Sequence, residues 1–137
     1  MPGASGNSTN DRNLGAARLS GLRAFIADDE SLLLMLLGDL LAELGCDVVG
    51  SATSVGQSLQ RTKSLDLDVA VLDVKLDRDV APLVEALSER AVPIVLATGY
   101  DPAEITERFP RSLVLRKPYS LESLRPVLLQ VVGGARA

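Results

Sequence analysis

The chain has 137 residues, a net charge of −4, a single cysteine and no histidine. A chain of this length forms one domain and can bury roughly 70% of its unfolded surface without disulfides. One cysteine excludes an intramolecular disulfide and a cysteine-based zinc site, and the lack of histidine excludes imidazole ligands and Ser-His or Cys-His catalysis. The acidic balance, without a basic cluster, argues against nucleic acid as a partner.

The predicted elements alternate along the chain. Residues 1–19 are mostly Gly, Ser, Asn and Asp with isolated leucines, so we expect a disordered tail there, followed by one domain over residues 20–134. Apolar runs predict strands at 22–27, 48–52, 69–72, 93–97 and 113–115. Helices are predicted up to Gly45 and at 55–63, 80–90 and 121–132, with a short one between Pro102 and Pro110.

Short, wholly apolar strands that alternate with helices predict an α/β fold, a doubly wound five-stranded parallel sheet with helices on both faces. In such a sheet, sites form beyond the carboxyl ends of the strands. The longest apolar run, from Leu32 to Leu37, is too short to cross a bilayer, and the N-terminus lacks the apolar stretch of a secretory signal. We therefore expect a cytoplasmic protein without a membrane partner.

Polar residues stand at the predicted strand ends: Asp28 and Asp29 after the first strand, Asp73 after the third, Thr98 after the fourth and Lys117 after the fifth. A strand-end Thr or Lys is most often structural, so each of these signals is weak alone. Because the carboxyl ends of parallel strands lie at the same edge of the sheet, the residues together indicate a site.

Asp28, Asp29 and Glu30 put three carboxylates at one strand end. One interpretation is helix capping, because acidic residues favour the positive end of the helix that follows. The other is a metal site, because the first and third strands are neighbours in the predicted sheet and Asp73 then lies beside the pair. Like charges held that close raise one another's pKa unless a cation intervenes. Mg²⁺ suits such a site, since it binds a few carboxylates and coordinates phosphate oxygens, and Mn²⁺ can replace it.

Asp73 follows a β-branched run and is the candidate nucleophile. A strand-end carboxylate often does no more than start a turn. The functional interpretation is that Asp73 forms an acyl phosphate while the metal neutralises charge on the transferring group. Thr98 would then donate its hydroxyl to one phosphoryl oxygen, and Lys117 would pair with another as a point charge.

The chain resembles a response-regulator receiver domain from residue 22 to residue 132. The similar segments are Ile26-Ala27-Asp28-Asp29-Glu30 for the acidic pocket, Val71-Leu72-Asp73 for the phosphoacceptor strand, Ala97-Thr98-Gly99 for the hydroxyl position and Arg116-Lys117-Pro118-Tyr119 for the Lys-Pro signature. In that family the Lys-Pro bond is typically cis.

The resemblance implies a flavodoxin-like receiver fold with strand order 2-1-3-4-5. It also implies that Asp73 takes its phosphoryl group from a sensor histidine kinase or a phosphotransfer protein. For Mg²⁺ it implies direct ligation by Asp29 and Asp73, a water-mediated contribution from Asp28, and a further ligand in the backbone carbonyl of Lys75.

The sequence also departs from the usual receiver pattern. Leu76-Asp77-Arg78-Asp79 stands where many receivers carry Met-Pro followed by Gly, and Val114 stands where most carry a switching aromatic residue. A tyrosine instead follows the threonine in Leu96-Ala97-Thr98-Gly99-Tyr100. This resembles the single-domain receivers nicknamed FAT GUY, which are often paired with kinases of the HWE type. We therefore expect residues 99–110, with Tyr100, to be the mobile element.

The first helix predicts a docking face for a partner protein. At 100° per residue, its core stripe is predicted to be Leu33, Leu36, Leu37, Leu40 and Leu44. Met35 then falls on the far side, with Leu32 and Leu34 on the flanks. Scattered surface apolar residues are common, but three neighbours together favour a docking face.

The leading hypothesis is a stand-alone response regulator, a switch rather than an enzyme acting on a separate substrate. With no effector domain expected after Val132, its output would be altered partner binding or onward phosphotransfer. One alternative is a Mg²⁺-dependent phosphatase or phosphotransferase that acts on small molecules through an aspartyl phosphate. Such enzymes need a cap and an acid two residues past the nucleophile, where Lys75 stands. Another alternative is a pseudo-receiver that only binds partners.

Overall fold

The computed structural model describes residues 18–136, over which strands and helices alternate. The strands are β1 (Arg23–Ala27), β2 (Asp47–Ala52), β3 (Val69–Asp73), β4 (Ile94–Thr98) and β5 (Leu113–Arg116). The helices are α1 (Ser31–Glu43), α2 (Val55–Thr62), α3 (Ala81–Glu89), α4 (Pro102–Arg108) and α5 (Leu121–Arg136). The alternation predicted from the apolar runs is confirmed, and the short helix between Pro102 and Pro110 is α4.

The end of α5 differs from the prediction. The helix continues to Arg136, whereas the sequence predicts its end before Gly133 and Gly134. A glycine weakens a helix by about 1 kcal/mol relative to alanine but does not forbid helical backbone. The turns before the glycines are anchored in the core by Leu124 and Leu128, so the helix can continue past them.

The sheet is parallel throughout and has the predicted strand order β2-β1-β3-β4-β5. In its register, Ala27 lies opposite Leu72, so the residues that follow, Asp28 and Asp73, leave the sheet side by side. At the other side of β3, the partner of Asp73 is Ala97, one residue before Thr98. The sheet therefore gathers the polar strand ends at one edge.

Successive side chains of the inner strands point to opposite faces of the sheet, as strand geometry requires. In β3, Val69 and Val71 pack in one core, which α1 and α5 cover. Ala70 and Leu72 pack in the second core, which α2, α3 and α4 cover. Between residues 18 and 136, no helix has the length and apolar character needed to cross a membrane.

The buried face of α1 agrees with the predicted stripe at Leu33, Leu37, Leu40 and Leu44, and differs from it at Leu36. Leu37, Leu41 and Leu44 are buried, whereas Leu36 is exposed and Leu34 packs against the core. The reason is that residues 32–37 are all apolar, so periodicity alone does not select one face there, and packing against the sheet decides. Met35 is exposed, as predicted.

The predicted tail of residues 1–19 is described only at its end. Leu19, which the sequence assigns to that tail, is buried in the core beside α1 and α5, so the folded part includes it. Residues 1–17 lie outside the described residues.

Candidate functional site

A cleft of about 410 Å³ lies at the carboxyl edge of the sheet, where the predicted site residues meet. Asp29, Asp73, Lys75, Thr98 and Lys117 all line it. Asp28 lies beneath them, with no exposed surface, and faces the same group of side chains. The sheet register therefore brings the predicted acidic, hydroxyl and cationic residues together.

The three aspartates form an oxygen-rich cluster. One carboxylate oxygen from each of Asp28, Asp29 and Asp73 lies within 4.8 Å of the other two. Hard divalent cations prefer oxygen ligands, and Mg²⁺ in particular binds through one or two carboxylates while keeping waters. The donor set therefore fits Mg²⁺, and Asp29 and Asp73 line the cleft, where they would be direct ligands.

The capping interpretation of these acids is not supported by the geometry. Glu30 is the N-cap residue of α1, and no side chain caps the helix there. The Oδ1 atom of Asp28 accepts a hydrogen bond of 2.9 Å from the N–H of Glu30, outside the helix proper. The carboxylates of Asp28 and Asp29 are thus not used to cap α1.

Lys117 joins two of the carboxylates. Its Nζ atom lies 3.1 Å from Oδ2 of Asp28 and 3.2 Å from Oδ2 of Asp73. Burial alone would lower the pKa of Lys117, but the hydrogen bond to Asp28 and the charges of both aspartates raise it overall. The ammonium group therefore stays charged and balances one of the clustered negative charges. The peptide bond between Lys117 and Pro118 is cis, as the resemblance implies.

Asp73 ends β3 and is almost fully buried. Burial raises the pKa of its carboxyl group, and the charge of Asp28 adds to this. The N–H of Lys75, which donates to Oδ1 over 3.1 Å, and the ammonium of Lys117 act in the opposite direction. The N–H of Lys75 and the ammonium of Lys117 are therefore the groups that stabilise the ionised carboxylate of Asp73, and a further cation beside it would stabilise it more.

Tyr119 belongs to the site, although sequence reasoning did not assign it a role there. Its buried hydroxyl donates a hydrogen bond of 2.8 Å to Oδ2 of Asp28, the atom that also contacts Lys117. Burial and this hydrogen bond raise the pKa of Tyr119 far above its ordinary value, so the hydroxyl keeps its proton. The available sequence signal was its position two residues after Lys117.

Thr98 ends β4 and is linked to Tyr100. The Oγ1 atom of Thr98 accepts a hydrogen bond of 2.9 Å from the N–H of Tyr100. The Tyr100 hydroxyl is hydrogen-bonded to Nζ of Lys75, which also lies 4.3 Å from the centre of the tyrosine ring. The side chain of Lys75 thus contacts Tyr100, while the predicted metal contact of its backbone carbonyl stays a prediction.

The loop after Asp73 is tied to two helices by acidic residues. Oδ1 of Asp77 accepts a hydrogen bond of 2.8 Å from the N–H of Val55, where α2 begins. Asp79 pairs with Arg108 at the end of α4. The N–H of Ala81 and the guanidinium of Arg108 lower the pKa of Asp79. The acids that replace the common Met-Pro sequence therefore fix the loop against its surroundings.

Comparison with known proteins agrees with this geometry. Residues 24–128 match the model of the response regulator receiver domain. The chain is 31% identical over 119 residues to the transcriptional regulatory protein PdtaR of Mycobacterium tuberculosis, an alignment that covers 83% of this chain but 58% of PdtaR. The chain thus spans little more than half the length of that relative.

Solved structures of response regulators are also similar to this chain. The BeF3-activated conformation of SdrG from Pseudomonas melonis Fr1 is 32% identical, with a TM-score of 0.71 over 82% of this chain and 98% of that one. The response regulator PhyR from Brucella abortus shares the fold, with a TM-score of 0.80 at 19% identity over 96% of this chain and 56% of that one.

Tyr119→Phe is expected to lower the free energy of unfolding by about 1.5–3 kcal/mol, because a buried carboxylate loses a hydrogen-bond donor while the ring keeps its packing. Urea denaturation measures this change. Tyr100→Phe is the matched control: its hydroxyl is exposed, so its loss should cost less than about 0.5 kcal/mol. Equal stability of the Tyr119→Phe variant and the parent chain would contradict the role assigned to this hydroxyl.

Proposed function

We propose that this chain, which belongs to the response regulator receiver domain family, is a phosphorylation-controlled switch that accepts its phosphoryl group on Asp73. Receiver domains act in two-component signalling, with histidine kinases or phosphotransfer proteins as phosphoryl donors. The observation that carries the proposal is the position of Asp73, whose carboxylate lies within 4.8 Å of the Asp28 and Asp29 carboxylates and 3.2 Å from the Lys117 ammonium.

In the proposed reaction, a carboxylate oxygen of Asp73 attacks the phosphorus of a phosphohistidine, the P–N bond breaks and the histidine nitrogen of the donor takes up a proton. Asp29 and Asp73 would hold Mg²⁺, which would supply positive charge to the aspartates and to the phosphoryl oxygens. The Lys117 ammonium is already at the acceptor carboxylate and pairs with the incoming negative charge. The Oγ1 atom of Thr98 accepts from the N–H of Tyr100, and its hydroxyl donates to no group among the described residues, so its proton is available to a phosphoryl oxygen.

We further propose that the chain acts as a switch and not on a separate small substrate. The residue two positions past Asp73 is Lys75, whose ammonium contacts Tyr100, so no acid stands there to protonate a leaving group. Over residues 18–136, the connections between elements are short and none forms a cap over the cleft. Both features favour transfer between proteins over turnover of a small molecule.

Asp73→Asn is expected to abolish labelling by acetyl phosphate in Mg²⁺ while leaving the fold intact. Intact-mass spectrometry should find one added phosphoryl group on the parent chain and none on the variant. EDTA should prevent labelling of the parent chain, because the clustered carboxylates repel the incoming phosphate. Among the ligand variants, Asp29→Ala should weaken metal binding more than Asp28→Ala, since Asp29 faces the cleft.

Undiminished labelling of Asp73→Asn would contradict the assignment of the acceptor, and equal labelling in EDTA would contradict the role of the metal. A parent chain that takes up no phosphoryl group from any donor would instead favour a pseudo-receiver.

We propose that the partner that donates the phosphoryl group docks on the exposed face of α1. Leu32, Met35 and Leu36 are 80%, 64% and 39% exposed and lie on one side of the helix, because their spacing is three and four residues. Leu36 takes the place that the sequence assigned to Leu34. Since α1 begins at Ser31, two residues after Asp29, this face starts beside the cleft. An apolar helical surface of a kinase seated here would bring its phosphohistidine to Asp73.

Met35→Gln is expected to slow phosphotransfer about tenfold from a histidine kinase or phosphotransfer protein that phosphorylates the parent chain, because a buried apolar anchor of an interface often contributes more than 1 kcal/mol. Labelling by acetyl phosphate should not change, since the cleft is intact. Ser88→Gln is the control, as Ser88 is exposed on α3 at the opposite face of the sheet. Equal transfer rates for Met35→Gln and Ser88→Gln would rule out this docking face.

The same hydrogen bonds suggest how phosphorylation is signalled. We propose that Thr98 turns its hydroxyl to the phosphoryl group and releases the N–H of Tyr100, which it holds in the free protein. Tyr100 directly follows Gly99, and its side chain is half-exposed. The helix after it, α4, has only 7 residues. Helices that short are marginal in isolation. We therefore expect residues 99–110 to become more or less ordered on phosphorylation, which would alter the surface that this segment presents to a partner.

The Leu96-Ala97-Thr98-Gly99-Tyr100 sequence supports placing the chain in the FAT GUY subgroup, with kinases of the HWE type as donors. Val114 is aliphatic and half-buried, so it offers no aromatic ring to swing with Thr98. The output would then be altered partner binding through residues 99–110, or onward phosphotransfer.

Beryllofluoride with Mg²⁺ is expected to change amide hydrogen exchange across residues 99–110 by about tenfold or more, since a charge-assisted hydrogen bond contributes about 1.5–3 kcal/mol. Lys117→Ala should be phosphorylated slowly and should lose this response. Mass-spectrometric hydrogen exchange measures both. Unchanged protection of 99–110, with changes confined to other segments, would contradict the mechanism, as would a full response of the Lys117→Ala variant.

A further inference from the structure

A groove of about 820 Å³ lies at the amino ends of the strands, at the opposite edge of the sheet from Asp73. It runs beneath β1, β3, β4 and β5 and is bounded by the later turns of α5. A strand of five residues is roughly 16 Å long, so the groove is separate from the cleft. Its volume is in the range of sites for small organic ligands, about 300–1,000 Å³.

The lining of the groove combines an apolar floor with two guanidinium groups. Aliphatic side chains of the strand ends and α5 form the floor: Leu22, Leu67, Leu113 and Val131. Arg18 and Arg111 also line the groove. Ser20 and Gln130 are the polar neutral side chains of the same lining. An apolar body and one anionic group are therefore the complement of this surface.

Arg18 lacks an acceptor within the described part of the chain. Its Nε atom is buried and has no hydrogen-bond partner among residues 18–136. A buried charged donor without an acceptor is costly, about 1–3 kcal/mol or more, and most such groups have a partner. The Arg18 guanidinium lies against Gly133 of α5, with Nη2 3.5 Å from the position that a Cβ there would occupy, so it is held at the groove by packing.

The single acidic side chain of the lining is already engaged. Oδ2 of Asp68 accepts a hydrogen bond of 2.8 Å from the N–H of Arg23, and neither Arg18 nor Arg111 forms an ion pair with it or with another acid among the described residues. With two guanidinium groups and one carboxylate, the lining of the groove carries a net charge of +1.

We propose that this groove binds a small amphiphilic carboxylate, with the aliphatic body on the floor of Leu22, Leu113 and Val131 and the carboxylate at Arg18 and Arg111. Guanidinium groups bind carboxylates through paired N–H donors, so the parts of Arg18 and Arg111 that line the groove would hold the carboxylate. Because the groove is remote from Asp73, this site is independent of the phosphoryl chemistry proposed above.

The test is a titration of the ¹⁵N-labelled full chain with octanoate, followed by NMR. Amide shifts are expected at Gly21, Leu22, Leu113 and Val131, and not at Asp73. Octan-1-ol has the same alkyl chain without the charge, and its affinity should be lower than that of octanoate by a factor of about ten or more. Arg111→Gln should lower the affinity for octanoate by a similar factor. Arg125→Gln is the control, because Arg125 is exposed on α5 outside the groove.

Equal affinities for octanoate and octan-1-ol, or for the parent chain and Arg111→Gln, would overturn the proposal, as would shifts centred away from the groove. Two other occupants are distinguishable. A dimer in sedimentation velocity that Arg111→Gln dissociates would make the groove an interface between copies. Contacts from the amides of residues 1–17 to the groove in the ligand-free chain would make that segment its occupant. Either result would contradict the proposed ligand.

Discussion

The ammonium of Lys117 lies between two aspartates that reach it from different strands, 3.1 Å from Asp28 and 3.2 Å from Asp73. Asp28 has no contact with solvent, so its charge depends on the partners it has: Lys117, the hydroxyl of Tyr119 and the N–H of Glu30. Removing one partner of such a buried pair typically costs about 3–5 kcal/mol. Lys117 therefore stabilises the fold through Asp28 and also holds the carboxylate of Asp73, and these two contacts offset part of the repulsion within the acidic cluster.

A series of hydrogen bonds connects Asp73 and Lys117 to Tyr100 at the surface. Lys117 donates its backbone N–H to the carbonyl of Thr98, and the hydroxyl of Thr98 holds the N–H of Tyr100. Tyr100 in turn contacts Lys75, whose backbone N–H is bonded to Asp73. Two routes of hydrogen bonds therefore link Asp73 to Tyr100, one through Lys117 and Thr98 and the other through Lys75. Because Tyr100 is half-exposed, a partner can detect its position.

Much of the fold and the site could be predicted because the determining signals are local. Apolar runs that stop at polar residues mark the strands, and the parallel sheet then brings Asp73 beside Asp28 without further information. Tyr119 could not be found in this way, since its partner Asp28 is 91 positions away and only the packing of the chain after β5 brings them together. Nor could the exposure of Leu36, because residues 32–37 are all apolar and only contact with the sheet decides which of them are buried.

A crystal structure of the complex with Mg²⁺ and beryllofluoride tests the central position of Lys117 most directly. The account predicts that the Lys117 ammonium keeps its contact with Asp28 and exchanges Asp73 for a fluorine atom, with Thr98 turned to a second fluorine and away from the N–H of Tyr100. A Lys117 side chain that stays on Asp73, or that turns to solvent while Thr98 still holds Tyr100, would contradict it.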